Sequence, residues 1–174
     1  MRALYLRMPA VATLVLAVGA GYLIGGIRSA LVVCALTLFI ALSPWWDRAL
    51  VTLYMATFGV VISCLIGFTV GTLCFQNKKS AAFMLGICDI FQTFPSFVYL
   101  IPVMMLFGIT DTSVLIAVVV YATIPATRYT IEGLRSVPVG LHEAATMSGV
   151  NKFQRLTKIE FPLAFPHMML GLNQ

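Results

Sequence analysis

Long apolar runs alternate with short polar breaks along the chain, from about 8 to 27, 30 to 46, 49 to 75, 82 to 108 and 112 to 131. A sixth apolar stretch begins after Pro166. About 20 apolar residues cover the hydrocarbon layer in helical form, and none of the runs shows the period-two polarity of half-buried strands. The pattern predicts an all-α fold, a polytopic transmembrane helical bundle. The first run is long and is followed at once by the second without a convincing cleavage site, so it reads as a span, not as a signal peptide.

Within the runs, small and polar residues stand at informative spacings. Gly59, Ser63, Gly67 and Gly71 recur every fourth residue and line one helical face, where a second helix can approach closely, within the subunit or across a dimer. Ala17, Gly21 and Gly25 repeat the device in the first run. The stretch from Ser80 to Gly108 would reach about 43 Å as a straight helix, so it must bend or protrude. Pro95 and Pro102 are the expected kinks. Asp89, Gln92 and Thr93 put polar groups in the same stretch; such groups usually face a bundle interior or a water-filled path. Asp89 either meets a passing cation or caps and pairs locally.

Composition agrees with a lipid environment: 60% of the 174 residues are hydrophobic and 10% charged, with a mean hydropathy of +0.99. The net charge of +5 does not indicate nucleic acid, because the basic residues are scattered and form no platform with aromatics. They read instead as anchors under the positive-inside rule. Lys78 and Lys79, together with a loop holding Arg128, Arg135, Lys152, Arg155 and Lys158, are assigned to the cytoplasmic side. Alternation adds Arg28 to that side and places Arg2, Arg7 and Arg48 outside, with Trp45 and Trp46 at the outer interface. Cys34, Cys64, Cys74 and Cys88 lie in apolar segments with no metal-ligand spacing. His142 and His167 flank the polar insert as interfacial residues, and no nucleophile-base cluster points to an enzyme.

That insert, HEAATMSGVNKFQRLTKIEFP from His142 to Pro162, interrupts the lipid pattern. Ser136 and Pro138 suggest a helix start, Gly149 permits a sharp turn, and Asn151 with Gln154 resembles a capping box. Phe153, Leu156 and Ile159 fall on one side of the second short helix, which Pro162 and Pro166 are expected to close. Two small helices result, with Glu143, Ala144 and Ala145 suited to close contact with a partner's groove. An amphipathic helix lying on the membrane surface is the other reading.

Glu143-Ala144-Ala145, three residues, Gly149, nine residues, Ile159, one residue, then Phe161 and Pro162 resembles the EAA loop of ABC-transporter permeases of binding-protein-dependent importers. Phe161 stands where that family usually has leucine. The stretch from Gln92 to Ile109 and the terminal FPLAFPHMMLGLNQ resemble the permeases of glycine betaine, proline and choline importers. The resemblance implies N-terminal transmembrane helices over 1–46 and a type 1 permease domain over 47–174, with a cytoplasmic EAA loop at about 132–166. It implies a non-enzymatic subunit of a bacterial or archaeal plasma membrane. ATP is bound by separate cytoplasmic ABC ATPase subunits that dock on Glu143, Ala144, Ala145, Gly149, Ile159 and Pro162. An extracytoplasmic solute-binding protein and a permease homodimer are the other implied partners, with no metal, cofactor or nucleic acid. Asp89, Gln92 and Thr93 are the candidate path residues. The chain carries no G-x-x-x-x-G-K-[ST] phosphate loop. Permeases of this family continue for about two more spans beyond the loop, so a C-terminally truncated chain is expected. The competing reading is a secondary transporter driven by an ion gradient.

Overall fold

The computed structural model describes residues 10–174, apart from the side chains of Ala10 and His142; Arg2, Arg7 and the start of the first run lie outside the described residues. All regular structure among these residues is helical. The chain forms two compact units, one up to Thr57 and one from Phe58 to Gln174.

The first unit holds α1 (Ala10–Leu42), whose hydrogen-bonded run breaks at Gly25 (φ −135°) and Gly26 (φ 67°). Gly26 takes a left-handed conformation open to glycine at little cost. A Cβ on Gly21 would lie 3.0 Å from Val33 Cγ2 and 3.5 Å from the Cα of Ala30. In a straight helix Gly21 and Ala30 would stand about 13 Å apart, so the arms fold back on each other. The first two expected runs are therefore the arms of one hairpin. After a bend at Ser43, α2 (Trp46–Phe75) begins, and Arg48 lies 4.7 Å over the exposed Trp45 ring.

In the second unit, α2 gives way to α3 (Lys78–Thr93), α4 (Phe97–Phe107) and α5 (Asp111–Arg135). Then follow α6 (Val139–Met147), the single turn α7 (Lys152–Arg155), a π-helical turn over Leu156–Glu160 and α8 (Phe161–Leu170). Trp46–Phe75 and Asp111–Arg135 are long and apolar enough to cross a membrane, and Val11–Leu42 is so by total length and composition although its arms fold back; α3 and α4 make a further candidate if taken together, although they meet at 87°. That bend sits at Pro95, where Phe94 takes an extended conformation, as expected of a residue preceding proline. Pro102, the other expected kink, lies inside α4 without breaking it.

α5 is the centre of this unit. The stripe on α2 packs along it: a Cβ on Gly67 would lie 2.5 Å from Ala126 Cβ and 2.9 Å from the backbone nitrogen of Thr127. One on Gly71 would meet Thr130 Cβ at 2.6 Å. Ser63, buried between the helices, donates to the Gly59 and Val119 carbonyls at 2.6 and 3.2 Å. The stripe thus serves packing within the subunit. On another face of α5, Gly133 admits α8, with Ala164 O 3.1 Å from where its Cβ would stand. Leu134, Val137, Ala164 and Met168 close a small core there, flanked by Phe68, Phe75, Leu156 and Phe161.

Two expectations are corrected. Arg128 is not in a loop but within α5, about two turns from its end. Pro162 and Pro166 do not close the second short helix, which continues through the π turn into α8. In the π turn Phe161 N–H bonds the Leu156 carbonyl, five residues back; the ladder is already shifted where Pro162 lacks its donor.

Gly67→Val would force a branched side chain into Ala126 and the backbone at Thr127. It is expected to lower stability in detergent by about 1–3 kcal/mol. Gly86→Ala, with nothing within 4 Å of the new Cβ, should be neutral or mildly stabilising in the same unfolding assay.

Candidate functional site

The polar insert folds as two helical pieces around a sharp elbow. α6 starts after Pro138, and Gly149 stops it at φ 70°. Val150 N–H bonds the Ala145 carbonyl at 3.2 Å and Gly149 N–H bonds the Thr146 carbonyl at 3.1 Å, the pair of bonds of a Schellman C-cap. Across the elbow, Asn151 Oδ1 accepts from Gln154 N at 2.8 Å while Gln154 Oε1 accepts from Asn151 N at 3.1 Å. Both the turn glycine and the capping box thus stand where the sequence puts them.

The marked residues of the insert do not share one surface. Glu143, Ala144 and Gly149 are exposed, whereas Ala145 is 4% exposed and packs inward. Ile159 is half-buried in the π turn, and Pro162 is exposed in the first turn of α8. Of the marked residues Glu143, Ala144, Gly149 and Pro162 are open to contact, Pro162 away from the other three in α8, whereas Ala145 and Ile159 pack inward. Phe153, expected on the apolar side with Leu156 and Ile159, is largely exposed.

The second group of residues converges on α5. Arg128 Nη1 lies 2.5 Å from Asp89 Oδ1 and 2.8 Å from Gln92 Oε1, both on α3. Its Nε donates to Glu132 Oε1, one turn along α5, at 3.0 Å. Glu132 in turn lies 3.9 Å from His167 Nε2 on α8, and the His167 ring stands 5.9 Å from that of Tyr129. One guanidinium fork thus ties α3 to α5 and, through Glu132, approaches α8. An arginine suits this role because its planar head serves several acceptors at once. Asp89 pairs locally, and Gln92 joins it; Thr93 does not, since its hydroxyl donates to the Ile90 carbonyl of its own helix at 2.6 Å.

Beside this group lies a cavity of about 420 Å³ bordered by Gln92, Tyr121, Ile124, Pro125 and Gln174. Gln92 Nε2 is buried with no hydrogen-bond partner among the described residues. Pro125 cannot donate to the Tyr121 carbonyl, so a second polar group on the rim lacks its usual helical partner. Aromatic rings surround the bend between α3 and α4. Phe91 and Tyr99 stack at 6.1 Å, Tyr99 and Tyr121 lie 5.8 Å apart, and Tyr99 OH donates to the Phe91 carbonyl across the bend. Glu132 and Tyr121 carry no signal in the sequence and Arg128 carries only that of a cytoplasmic anchor, because what makes them notable is their partners from other helices. Among the described residues, no group of three or more His, Cys, Asp or Glu side chains is arranged to hold a metal.

An exposed helical hairpin thus follows a membrane-length helix, α5, which a charged group ties to α3. Residues 59–173 match the family described as "Binding-protein-dependent transport system inner membrane component", and the chain belongs to that family. It is 87% identical over its whole length to the trimethylamine N-oxide transport system permease protein TmoV of Pelagibacter ubique, covering 24% of that protein. Its identity to the protein of the same name from Ruegeria pomeroyi is 43% over the whole chain and 26% of the relative. With the glycine betaine/proline betaine transport system permease protein ProW of Escherichia coli it shares 32% over 98% of the chain and 48% of the relative. The chain thus spans about a quarter to a half of the length of these curated relatives.

Removing the arginine head leaves Asp89 without its cation. Arg128→Met is expected to lower stability by about 1–2 kcal/mol, and Asp89→Asn in the same background should cost little more. A double-mutant cycle in lipid nanodiscs measures that coupling; strict additivity would mean that the pair does not hold α3 to α5.

Proposed function

We propose that the protein is the membrane-spanning permease component of an ATP-driven importer of small methylated amines, with trimethylamine N-oxide and glycine betaine as the leading solutes. The observation that carries this reading is the exposed α6–Gly149–α7 hairpin, lying within the family match. Glu143 and Ala144 are the contact for a separate cytoplasmic ATPase subunit. Ala145, Gly149, Ile159 and Pro162 hold the hairpin's shape and its continuation into α8. ATP binds to that partner, an extracytoplasmic binding protein delivers the solute, and a second permease copy completes the path across the plasma membrane.

Movement at the hairpin has a physical route into the membrane. α6 follows α5 directly, and the α7 turn runs through the π turn into α8, so displacement of the hairpin loads both helices. Arg128 links α5 to α3 at the cavity. Binding of nucleotide to the partner shifts the permease only as far as it binds one permease state more tightly than the other.

The cavity chemistry supports a methylated amine. A trimethylated nitrogen has no N–H to donate and is favoured by aromatic faces; here Tyr121 lines the cavity, with Tyr99 packed against it. Its N-oxide or carboxylate oxygen is an acceptor, which the buried Gln92 amide nitrogen can serve. Asp89 and Thr93 border this region without entering the same contact: Asp89 is committed to Arg128 and Thr93 to its own helix. A carrier driven by an ion gradient would leave the hairpin without a role.

Glu143→Lys and Gly149→Val, in the complete protein reconstituted with its ATPase, are each expected to reduce solute-stimulated ATP hydrolysis at least about tenfold while membrane insertion persists. The lysine reverses the contact charge. Valine strains the left-handed elbow by about 1–2 kcal/mol. Undiminished uptake would overturn the assignment. In the same proteoliposomes, unlabelled glycine betaine should compete with labelled trimethylamine N-oxide more strongly than proline or choline does.

A further inference from the structure

We propose that the pocket where α2 and α5 end and α3 begins binds the phosphate of an acidic phospholipid. The pocket encloses about 600 Å³, and Lys78, Arg135, Lys152 and Arg155 all border it. Glu160 is the single acidic residue on its wall. It is 2% exposed, and its carboxylate accepts from Arg155 Nε at 2.9 Å. The charge of Arg155 is thus matched from inside the fold, and Lys78, Arg135 and Lys152 remain as an excess of positive charge. Arg135 Nη2 donates to the Lys78 carbonyl at 3.4 Å, which holds its guanidinium at the first turn of α3.

Apolar side chains, among them Phe75, Leu134 and Leu156, also line the pocket. Phe75 is the last residue of α2, and Arg135 is the last of α5, both of membrane-crossing length; Lys78 opens α3. The pocket therefore lies where helices leave the hydrocarbon layer, at headgroup depth. Basic pockets between membrane helices at that level suit anionic lipid heads. A lining that is both basic and apolar matches a phosphodiester with its acyl chain, whereas a free anion would use only the charges. The hairpin's Val139, Lys152, Phe153 and Arg155 line this pocket, but Glu143, Ala144 and Gly149 are not among its lining residues, so the site shares the hairpin without using the contact assigned to the ATPase.

The test uses the complete protein purified in detergent, offered equal amounts of phosphatidylglycerol and phosphatidylcholine, with bound lipid counted by native mass spectrometry. Phosphatidylglycerol should be retained in clear preference. Lys78→Gln with Lys152→Gln should lower that preference by about fivefold per lysine, and Lys78→Arg with Lys152→Arg should keep it. Equal retention of both lipids by the wild type, or an unchanged preference in the glutamine variant, overturns the proposal. So does displacement of the lipid by an equal concentration of glycerol 3-phosphate or inorganic phosphate, which would assign the pocket to a soluble anion. Displacement by the purified ATPase subunit would make it a protein contact and overturns it equally. None of these readouts depends on transport, so they stand apart from the importer reading.

Discussion

The close approach of α2 and α5 is the contact on which the second unit depends. In lipid the hydrophobic effect does not drive two helices together, because the acyl chains are as apolar as leucine; association needs dense packing and hydrogen bonds between helices. Gly59, Gly67 and Gly71 allow the packing, and Ser63 adds the bond to Val119. Once α5 is seated on α2, its remaining faces are assigned. Gly133 receives α8, Arg128 reaches α3, and the residues after Arg135 lead into the exposed hairpin.

Arg128 changes the meaning of the polar residues on α3. A carboxylate in an apolar segment is costly unless it is paired or hydrated. Here the Asp89 side chain is 61% exposed and that of Arg128 30%, so the pair borders open space instead of being sealed inside the fold. Such a pair contributes modestly to stability, but it fixes where α3 stands against α5. It also leaves the Gln92 amide nitrogen at the cavity with unused donor capacity. The 87° bend at Pro95 turns α4 away at that point and stacks Tyr99 between Phe91 and Tyr121. Charge pairing, bend and aromatic cluster thus meet at one level of the bundle.

The local devices could be read from residue types. Gly149 as a left-handed elbow, Asn151 with Gln154 as a capping box, and the four-residue stripe on α2 each depend on neighbours within a few positions, and each stands as expected. The bend between α3 and α4 was foreseeable from Pro95, though its size was not. The partners of Asp89 and Gln92 were out of reach, because Arg128 is 39 and 36 residues further on. The continuation through Pro162 was missed for another reason. Proline usually stops a helix, and a π turn that relocates its missing bond has no residue signature of its own.

Hydrophobic periodicity and length by themselves determined that this chain is helical and built for a membrane, because only a helix of such apolar residues satisfies its backbone within lipid. Small-residue spacing determined which face of α2 must meet another helix. Tertiary structure decided that the other helix is α5, that Ala145 turns inward while Ala144 stays exposed, and that Arg128 leaves the expected loop to bind α3. It also decided that Lys78, Arg135 and Lys152, scattered along the chain, share one pocket. The physical reason is the same in each case: spacing within a helix fixes which residues share a face, but what that face meets depends on contacts between residues far apart in sequence.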